Sequence, residues 1–244
     1  MKQAMILAAG LGTRLKPLTD TMPKAMVPVA GKPLIWHLVM KLKAAGFQHV
    51  VVNVHHFASQ IVDYLKANDN FGIDIKISDE TAQLLDTGGA IKHALPLFSS
   101  EAPVLIHNVD ILSNVDVASF YEQAAKADAL LLVGERKTSR YLLFDEQLRL
   151  TGWTNDDKGL LKLADPALDV DRQRRLAFTG IHVVQPRLAE LMGDMPDKFG
   201  VFDFYMRYAL QCRFVGFLKP DLRMLDVGKL DTLEQAEQFI IHNS

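Results

Sequence analysis

The sequence predicts an α/β fold, with a mostly parallel sheet and helices on both of its faces. Three observations carry that expectation. Strand and helix patterns alternate early in the chain, with Val50–Val54 as strand, Ala58–Ala67 as helix and Ile73–Ile77 as strand again. The runs Ala4–Leu7 and Pro103–His107 are continuously apolar, as strands covered on both faces are. No linker, internal repeat or low-complexity tract divides the 244 residues, and a chain of this length can bury one large core. A single domain over residues 1–244 is expected, with one lobe over 1–135 and a second over 136–244.

Composition narrows the function. Nearly half the residues are apolar and under a quarter are charged, as in ordinary globular proteins. A net charge of -2 argues against a nucleic-acid partner, which needs a basic face. The one cysteine, Cys212, cannot form an internal disulfide. It reads as a buried small hydrophobe in a reducing cytoplasm. No apolar run approaches the ~20 residues of a membrane span. The N-terminal apolar stretch is too short, and too soon broken by glycines, for a signal peptide.

The first strand empties through Leu7, Ala8 and Ala9 into a loop with Gly10, Gly12, Thr13 and Arg14; Lys24 follows about ten residues on. Glycines let backbone approach a ligand closely, and free N–H groups in such a loop form an anion-binding concavity. Arg14 adds a planar fork for phosphate oxygens, and Lys24 a compact point charge. The combination points to a loop that holds the phosphates of a nucleotide. A Walker A loop is excluded by its missing spacing and Gly-Lys-Ser/Thr. A dinucleotide fingerprint fails because Leu15 stands at the third glycine. The strand Val50–Val54 also ends in His55 and His56, not in a ribose-binding acid. These two facts argue against a NAD(P)-dependent oxidoreductase.

A longer pattern fits. Gly10-Leu11-Gly12-Thr13-Arg14, Pro17-Leu18-Thr19 and Pro23-Lys24-Ala25-Met26-Val27-Pro28-Val29 follow one another in order. This stretch resembles the signature of nucleoside-diphosphate-sugar pyrophosphorylases, the sugar-1-phosphate nucleotidyltransferases. The resemblance implies a Rossmann-like, glycosyltransferase-A-like sheet with sugar-binding insertions in the second half.

The remaining elements can be read in order. Pro33 opens a helix to about Ala45, with Leu34, Leu38 and Leu42 at helical spacing and Gly46 as its stop. The helix over 58–67 buries Ile61, Val62 and Leu65. Ile73–Ile77 alternates strictly, as a strand near a sheet edge does. Leu85-Asp86-Thr87-Gly88-Gly89-Ala90-Ile91 leads into a short helix to about Leu95. The strand Pro103–His107 runs into Asn108-Val109-Asp110, and ligands of open α/β sheets bind at such carboxyl ends. A helix over 117–127 precedes the buried strand 129–133. Strands follow over 140–145 and 148–153, then a polar loop over 154–175. Leu176–Val184 is a strand with Gly180 inside it, which suggests a close approach there. Helices near 186–192 and from Val201, strands over 213–218 and 223–225, and a helix to about Ile241 complete the chain.

The resemblance assigns roles. Leu7, Ala8, Ala9, Gly10, Gly12, Thr13, Arg14, Lys24, Thr87, Gly88, Gly89 and Asn108 would bind the nucleotide, with Arg14 and Lys24 catalytic. Asp110 and Asp226 would hold Mg²⁺. Asp86 stands where relatives often have glycine, Leu225 where they have an aromatic, and Lys229 where they have threonine. Arg140, Gly152, Asn155, Thr179 and Gly180 are the candidate sugar contacts, and Arg140 could pair with the lactyl carboxylate of a muramic acid. The implied partners are a nucleoside triphosphate and a sugar-1-phosphate. The compact chain, with no C-terminal β-helix domain expected, looks most like small bacterial uridylyltransferases acting on N-acetylmuramic acid 1-phosphate. Guanylyltransferases for mannose or heptose phosphates are the alternative, and an inactive nucleotide-sugar sensor or scaffold is the reading from another class. No residue pattern specifies an oligomeric state. His37, His55, His56, His93, His107 and His182 lack ligand spacing and read as core or surface groups.

Overall fold

The computed structural model describes residues 1–243. Its elements, in chain order, begin with β1 (Lys2–Leu7), the two-residue strands β2 (Pro28–Val29) and β3 (Lys32–Pro33), α1 (Leu34–Ala44), β4 (Phe47–Val54), α2 (Ala58–Ala67) and β5 (Asp74–Asp79). Then come α3 (Asp86–Ala94), β6 (Val104–Asn108), β7 (Ile111–Ser113), α4 (Val117–Gln123), β8 (Ala129–Gly134), β9 (Arg140–Phe144), β10 (Leu150–Asn155) and β11 (Leu160–Leu163). The chain closes with β12 (Arg174–Val184), α5 (Leu188–Gly193), α6 (Val201–Tyr208), β13 (Phe214–Leu218), β14 (Met224–Asp226) and α7 (Leu233–Asn243).

The main sheet has the order β5-β4-β1-β6-β12-β8-β13, and only β12 runs against the others. Strand alternation sends side chains to the two faces in turn. Ala4 and Ile6 enter one core while Met5 enters the other; Val50 and Val52 face the first, and Val51 the second. On the first face α1, α2, α4 and α7 cover the sheet with residues such as Leu38, Leu42, Ile61, Phe120 and Ala236. On the second, α3, α5 and α6 supply Ile91, Met192, Phe204 and Tyr205. This is the layered α/β arrangement expected, and β5 is the edge strand its alternation suggested.

Strand β12 is long enough to belong to two regions. Its last residues, Ile181–Val184, pair with β6, and its first, Arg174–Leu176, pair with β9. Between them Gly180 takes φ +86°, and the register against β8 shifts. β9, β10 and β11 continue from β12 as an antiparallel extension. The stretch 154–175, expected as a loop, therefore contains β11. Its residues Leu160, Leu161 and Lys162 are all exposed, so no buried alternation marks them as a strand. β14 lies where a strand over 223–225 was expected; β7 and its antiparallel pairing with β14 were not foreseen.

Candidate active site

The carboxyl ends of β1, β4 and β6 lie side by side, with Leu7 in register with Asn53 on one side and Asn108 on the other. The loop after β1 folds as three short 3₁₀ turns, over Thr13–Leu15, Leu18–Asp20 and Lys24–Met26. Gly12 makes the first bend with φ +63°. A Cβ there would stand 2.9 Å from Thr19 Cγ2 and 3.1 Å from Lys24 Cβ, so the close packing needs glycine as well as the bend. The Gly12 carbonyl accepts from the Leu15 N–H at 2.8 Å and from the Thr19 hydroxyl at 2.9 Å. Leu15, Ala25 and Val27 are fully buried and anchor the loop to the sheet. Ala25 and Val27 bury on one side of the last turn while the Lys24 ammonium reaches Asp110.

The ribbon of β7 and β14 assembles the acidic part. Asp226 pairs with Ile111 across the ribbon, and the Val227 N–H donates to the Asp110 carbonyl at 2.9 Å. Two carboxylates more than a hundred residues apart thus become neighbours. Lys24 Nζ forms an ion pair with Asp110 and stands 3.9 Å from Asp226 Oδ1. The Arg14 guanidinium lies 4.0 Å from Asp226 Oδ2. Gly228 allows this approach: a Cβ would stand 2.7 Å from both an Arg14 nitrogen and Asp226 Oδ1. Burial and then the charge of Asp110 push the Asp226 carboxyl above its ordinary range, against the pull of Lys24, Arg14 and Arg136.

Two cavities meet at this cluster. One of about 390 Å³ is bordered by Leu7–Gly10, Lys24, Thr87 and Asp110. The other, of about 880 Å³, is bordered by Arg14, Arg140, Trp153, Thr179, Gly180 and Asp226. Asn108 lines both. Gly180 lets Asn108 sit there, since a Cβ on it would stand 2.7 Å from Asn108 Nδ2. A backbone loop rich in glycine, two cations and two carboxylates at such a junction suit a phosphate chain in one cavity and a second reactant in the other.

A family model described as nucleotidyl transferase matches residues 3–143, which is more than half of the chain. The chain belongs to the nucleotidyl transferase family. It is 46% identical over 238 residues to the N-acetylmuramate alpha-1-phosphate uridylyltransferase of Neisseria meningitidis, covering 96% of both chains. With the enzyme of the same description from Caulobacter vibrioides it shares 37% over 238 residues, covering 93% of this chain and 92% of the relative. Among solved structures, HddC from Yersinia pseudotuberculosis superposes with a TM-score of 0.79 at 24% identity, over 98% of this chain and all of that one. That last likeness concerns the fold.

Within this nucleotidyl transferase, most of the expected residues converge. Leu7, Ala8, Ala9, Gly10, Lys24, Thr87, Asn108 and Asp110 border the smaller cavity, and Arg14, Arg140, Thr179, Gly180 and Asp226 the larger. Gly12 acts from behind, by shaping the loop, and Thr13 opens its first 3₁₀ turn; neither borders a cavity. Gly88 and Gly89 border neither cavity. Their N–H groups both donate to the Phe199 carbonyl, at 2.9 and 3.1 Å. A Cβ on Gly88 would lie 2.3 Å from the Phe199 ring, and one on Gly89 2.2 Å from the Asp197 carbonyl oxygen. These glycines admit the 197–199 segment against α3, and no ligand is needed to explain them. Gly152 packs beneath Leu143 and Leu163 and Asn155 is buried, and neither borders the larger cavity. Asn53, Arg136 and Trp153 border the cavities without having been foreseen. Trp153 had a usable signal, an aromatic on a strand next to an expected sugar contact.

Proposed function

We propose that this chain transfers a uridylyl group from UTP to N-acetylmuramic acid 1-phosphate, giving the UDP-sugar and pyrophosphate. One observation carries the chemistry: Lys24 lies between Asp110 and Asp226 where the two cavities meet. The relatives at 46% and 37% identity, matched over almost their whole length, support the choice of substrates.

The donor set suits Mg²⁺. No group of three or more acidic, histidine or cysteine ligands occurs among the described residues. Two carboxylates do meet, and Mg²⁺ takes one or two carboxylates and completes its shell with phosphate oxygens and water. The lysine ammonium between them marks a position where their charge already favours a cation. Asp110 and Asp226 would hold the ion, which supplies charge neutralisation at the phosphates when bound.

The chain's own groups do the rest. Backbone N–H groups of the glycine loop and the Arg14 fork hold the β- and γ-phosphates. Lys24 sits against the α-phosphate and the phosphate of the sugar. An oxygen of the sugar phosphate attacks the α-phosphorus in line. The new P–O bond forms as the bond to the bridging oxygen breaks, and pyrophosphate leaves with that electron pair. The nucleophile is already anionic, so no general base is required. Positioning and charge neutralisation lower the barrier. A cytoplasmic setting suits a reaction that consumes a nucleoside triphosphate, and no described helix is long and apolar enough to cross a membrane.

Arg140 supports a carboxylated sugar. Three arginines border the larger cavity, and two are engaged: Arg14 with Asp226, and Arg136 with the Phe178 carbonyl at 3.2 Å. The Arg140 guanidinium makes no hydrogen bond or ion pair among the described residues, leaving its fork for the lactyl carboxylate. The test is Mg²⁺-dependent pyrophosphate release from each nucleoside triphosphate against a panel of sugar-1-phosphates, in wild type and Arg140→Ala. UTP with N-acetylmuramic acid 1-phosphate should give the signal, and the variant should lose affinity for that sugar selectively. Turnover only with GTP and a mannose or heptose phosphate would overturn the substrate assignment. An Arg140→Ala enzyme equal to wild type would remove the carboxylate contact.

A further inference from the structure

A buried chain of hydrogen bonds runs along the inner wall of the smaller cavity. The Ala8 N–H donates to Asn53 Oδ1 at 2.7 Å, and Asn53 Nδ2 donates to Glu80 Oε1 at 2.7 Å. The other carboxylate oxygen, Oε2, accepts from the Leu85 N–H at 3.1 Å. Asn53 is 3% exposed and Glu80 2%. The Glu80 backbone is also fixed, its N–H donating to the Val54 carbonyl at 2.9 Å and its carbonyl meeting His55 Nδ1 at 2.6 Å. Glu80 forms no ion pair among the described residues. Burying a carboxylate without a cation is costly, and two N–H donors are its compensation here.

The chain has a direction, and Glu80 sets it. Glu80 accepts at both of its carboxyl oxygens, from Asn53 and from the Leu85 N–H. Asn53 must therefore turn its NH₂ towards Glu80, which leaves its oxygen for Ala8. The Ala8 N–H is drawn into the sheet, and the backbone beside Ala9 and Gly10 takes one orientation. At the other end the same carboxylate holds Leu85, the residue before α3. Ala8–Gly10 and Asp86–Thr87 border the same cavity, so one side chain fixes the two segments relative to each other.

We propose that Glu80 is a positioning residue for the nucleotide: through Asn53 and Leu85 it holds the phosphate loop and the start of α3 at the separation the nucleotide requires. This rests on the reading of the smaller cavity as the nucleotide site. Glu80 acts through its neighbours and takes no part in the bond-making step.

Hydrogen-bond direction supplies a test that simple loss of a side chain does not. In Glu80→Gln, one end of the new amide donates. Whichever way that amide and Asn53 turn, one N–H then faces another N–H somewhere between Leu85 and Ala8. The double variant Asn53→Asp with Glu80→Gln exchanges amide and carboxylate. Leu85 N–H can then donate to the new amide oxygen, the new NH₂ to the introduced carboxylate, and Ala8 N–H to the other oxygen of that carboxylate. Every bond returns, at the same net charge and almost the same volume.

The measurement is binding of UTP with Mg²⁺ by calorimetry, alongside KM and kcat for each substrate and the melting temperature. Glu80→Gln should weaken UTP binding at least tenfold and raise its KM to match, with KM for the sugar phosphate within about twofold of wild type. The double variant should recover UTP binding to within about threefold. If the single variant does not fold, the double variant alone decides, by folding and binding UTP or failing to. UTP binding unchanged in Glu80→Gln would overturn the proposal, as would a folded double variant no better than the single one. Wild type that binds UTP without turning over the sugar phosphate would sink the proposed reaction and leave the Glu80 test in force. Wild type that does not bind UTP would overturn both.

Discussion

Gly228 shows how one missing methyl group can matter to the chemistry. The atoms a Cβ would meet there, at 2.7 Å, are the Arg14 guanidinium and the Asp226 carboxylate. Both are ends of side chains that can move, so Gly228→Ala should cost little stability. They are also the groups proposed to hold phosphate and metal. Displacements of about 1 Å at such positions cost on the order of 100-fold in rate. We expect Gly228→Ala to lose between about 10- and 100-fold in kcat/KM with a melting temperature close to wild type; kinetics and thermal unfolding of one preparation check both. At this scale the sequence was legible where the pattern was long. Arg14, Lys24, Asp110 and Asp226, all singled out from the sequence, lie together in one cluster. Gly88 and Gly89 were harder to read, because a glycine that admits an aromatic ring looks the same in sequence as one that admits a ligand. Asn53 gave no local signal, since what sets it apart is its meeting with Glu80 across the ends of two strands.

At the scale of elements, the joint between α3 and the segment leading to α6 is held by packing and backbone bonds together. The Gly88 and Gly89 N–H groups converge on the Phe199 carbonyl, and the Val201 N–H donates to the Thr87 hydroxyl at 3.0 Å. Gly88→Ala would drive a methyl group into the Phe199 ring. Overpacking of this kind costs roughly 1–3 kcal/mol. Chemical denaturation should register that loss for Gly88→Ala, whereas a wild-type midpoint with impaired nucleotide binding would restore the ligand-contact reading. Main-sheet strands and helices were readable to within a few residues because each buries a clear apolar face. Strand β14 was readable too, but the three-residue β7 and its pairing with β14 were not. Yet it is the ribbon that brings Asp110 to Asp226, so the proposed metal pair was inferred from resemblance and not from any derived pairing.

For the whole molecule, the two cores contain a common sensitivity to acid. His107 is buried on the α1 face, and its ring is pulled down to about 3 by burial and then by the charge of Lys41. His182, buried on the α6 face against the Tyr205 hydroxyl at 2.7 Å, is pulled down to about 3 by burial. Both pKa values lie below the unfolded value near 6.5. Folding therefore favours the neutral rings. That contribution is complete above pH 6.5 and is lost as the pH falls towards 3, where the unfolded chain binds protons the folded one refuses. From pH 7 to pH 5 each histidine should remove about 2 kcal/mol of stability. Urea unfolding at the two pH values measures it, and equal stabilities would contradict neutral burial of these rings.

The same molecule-wide arrangement, two cavities meeting at one charged cluster, makes a specific demand on the fate of atoms. The most direct measurement uses N-acetylmuramic acid 1-phosphate labelled at its phosphorus, with UTP, Mg²⁺ and wild-type protein. In-line attack by the sugar phosphate requires all of the label in the UDP-sugar, with one unlabelled pyrophosphate released for each product formed. Label in pyrophosphate or in free phosphate, or no UDP-sugar from folded protein, would contradict uridylyl transfer at this site.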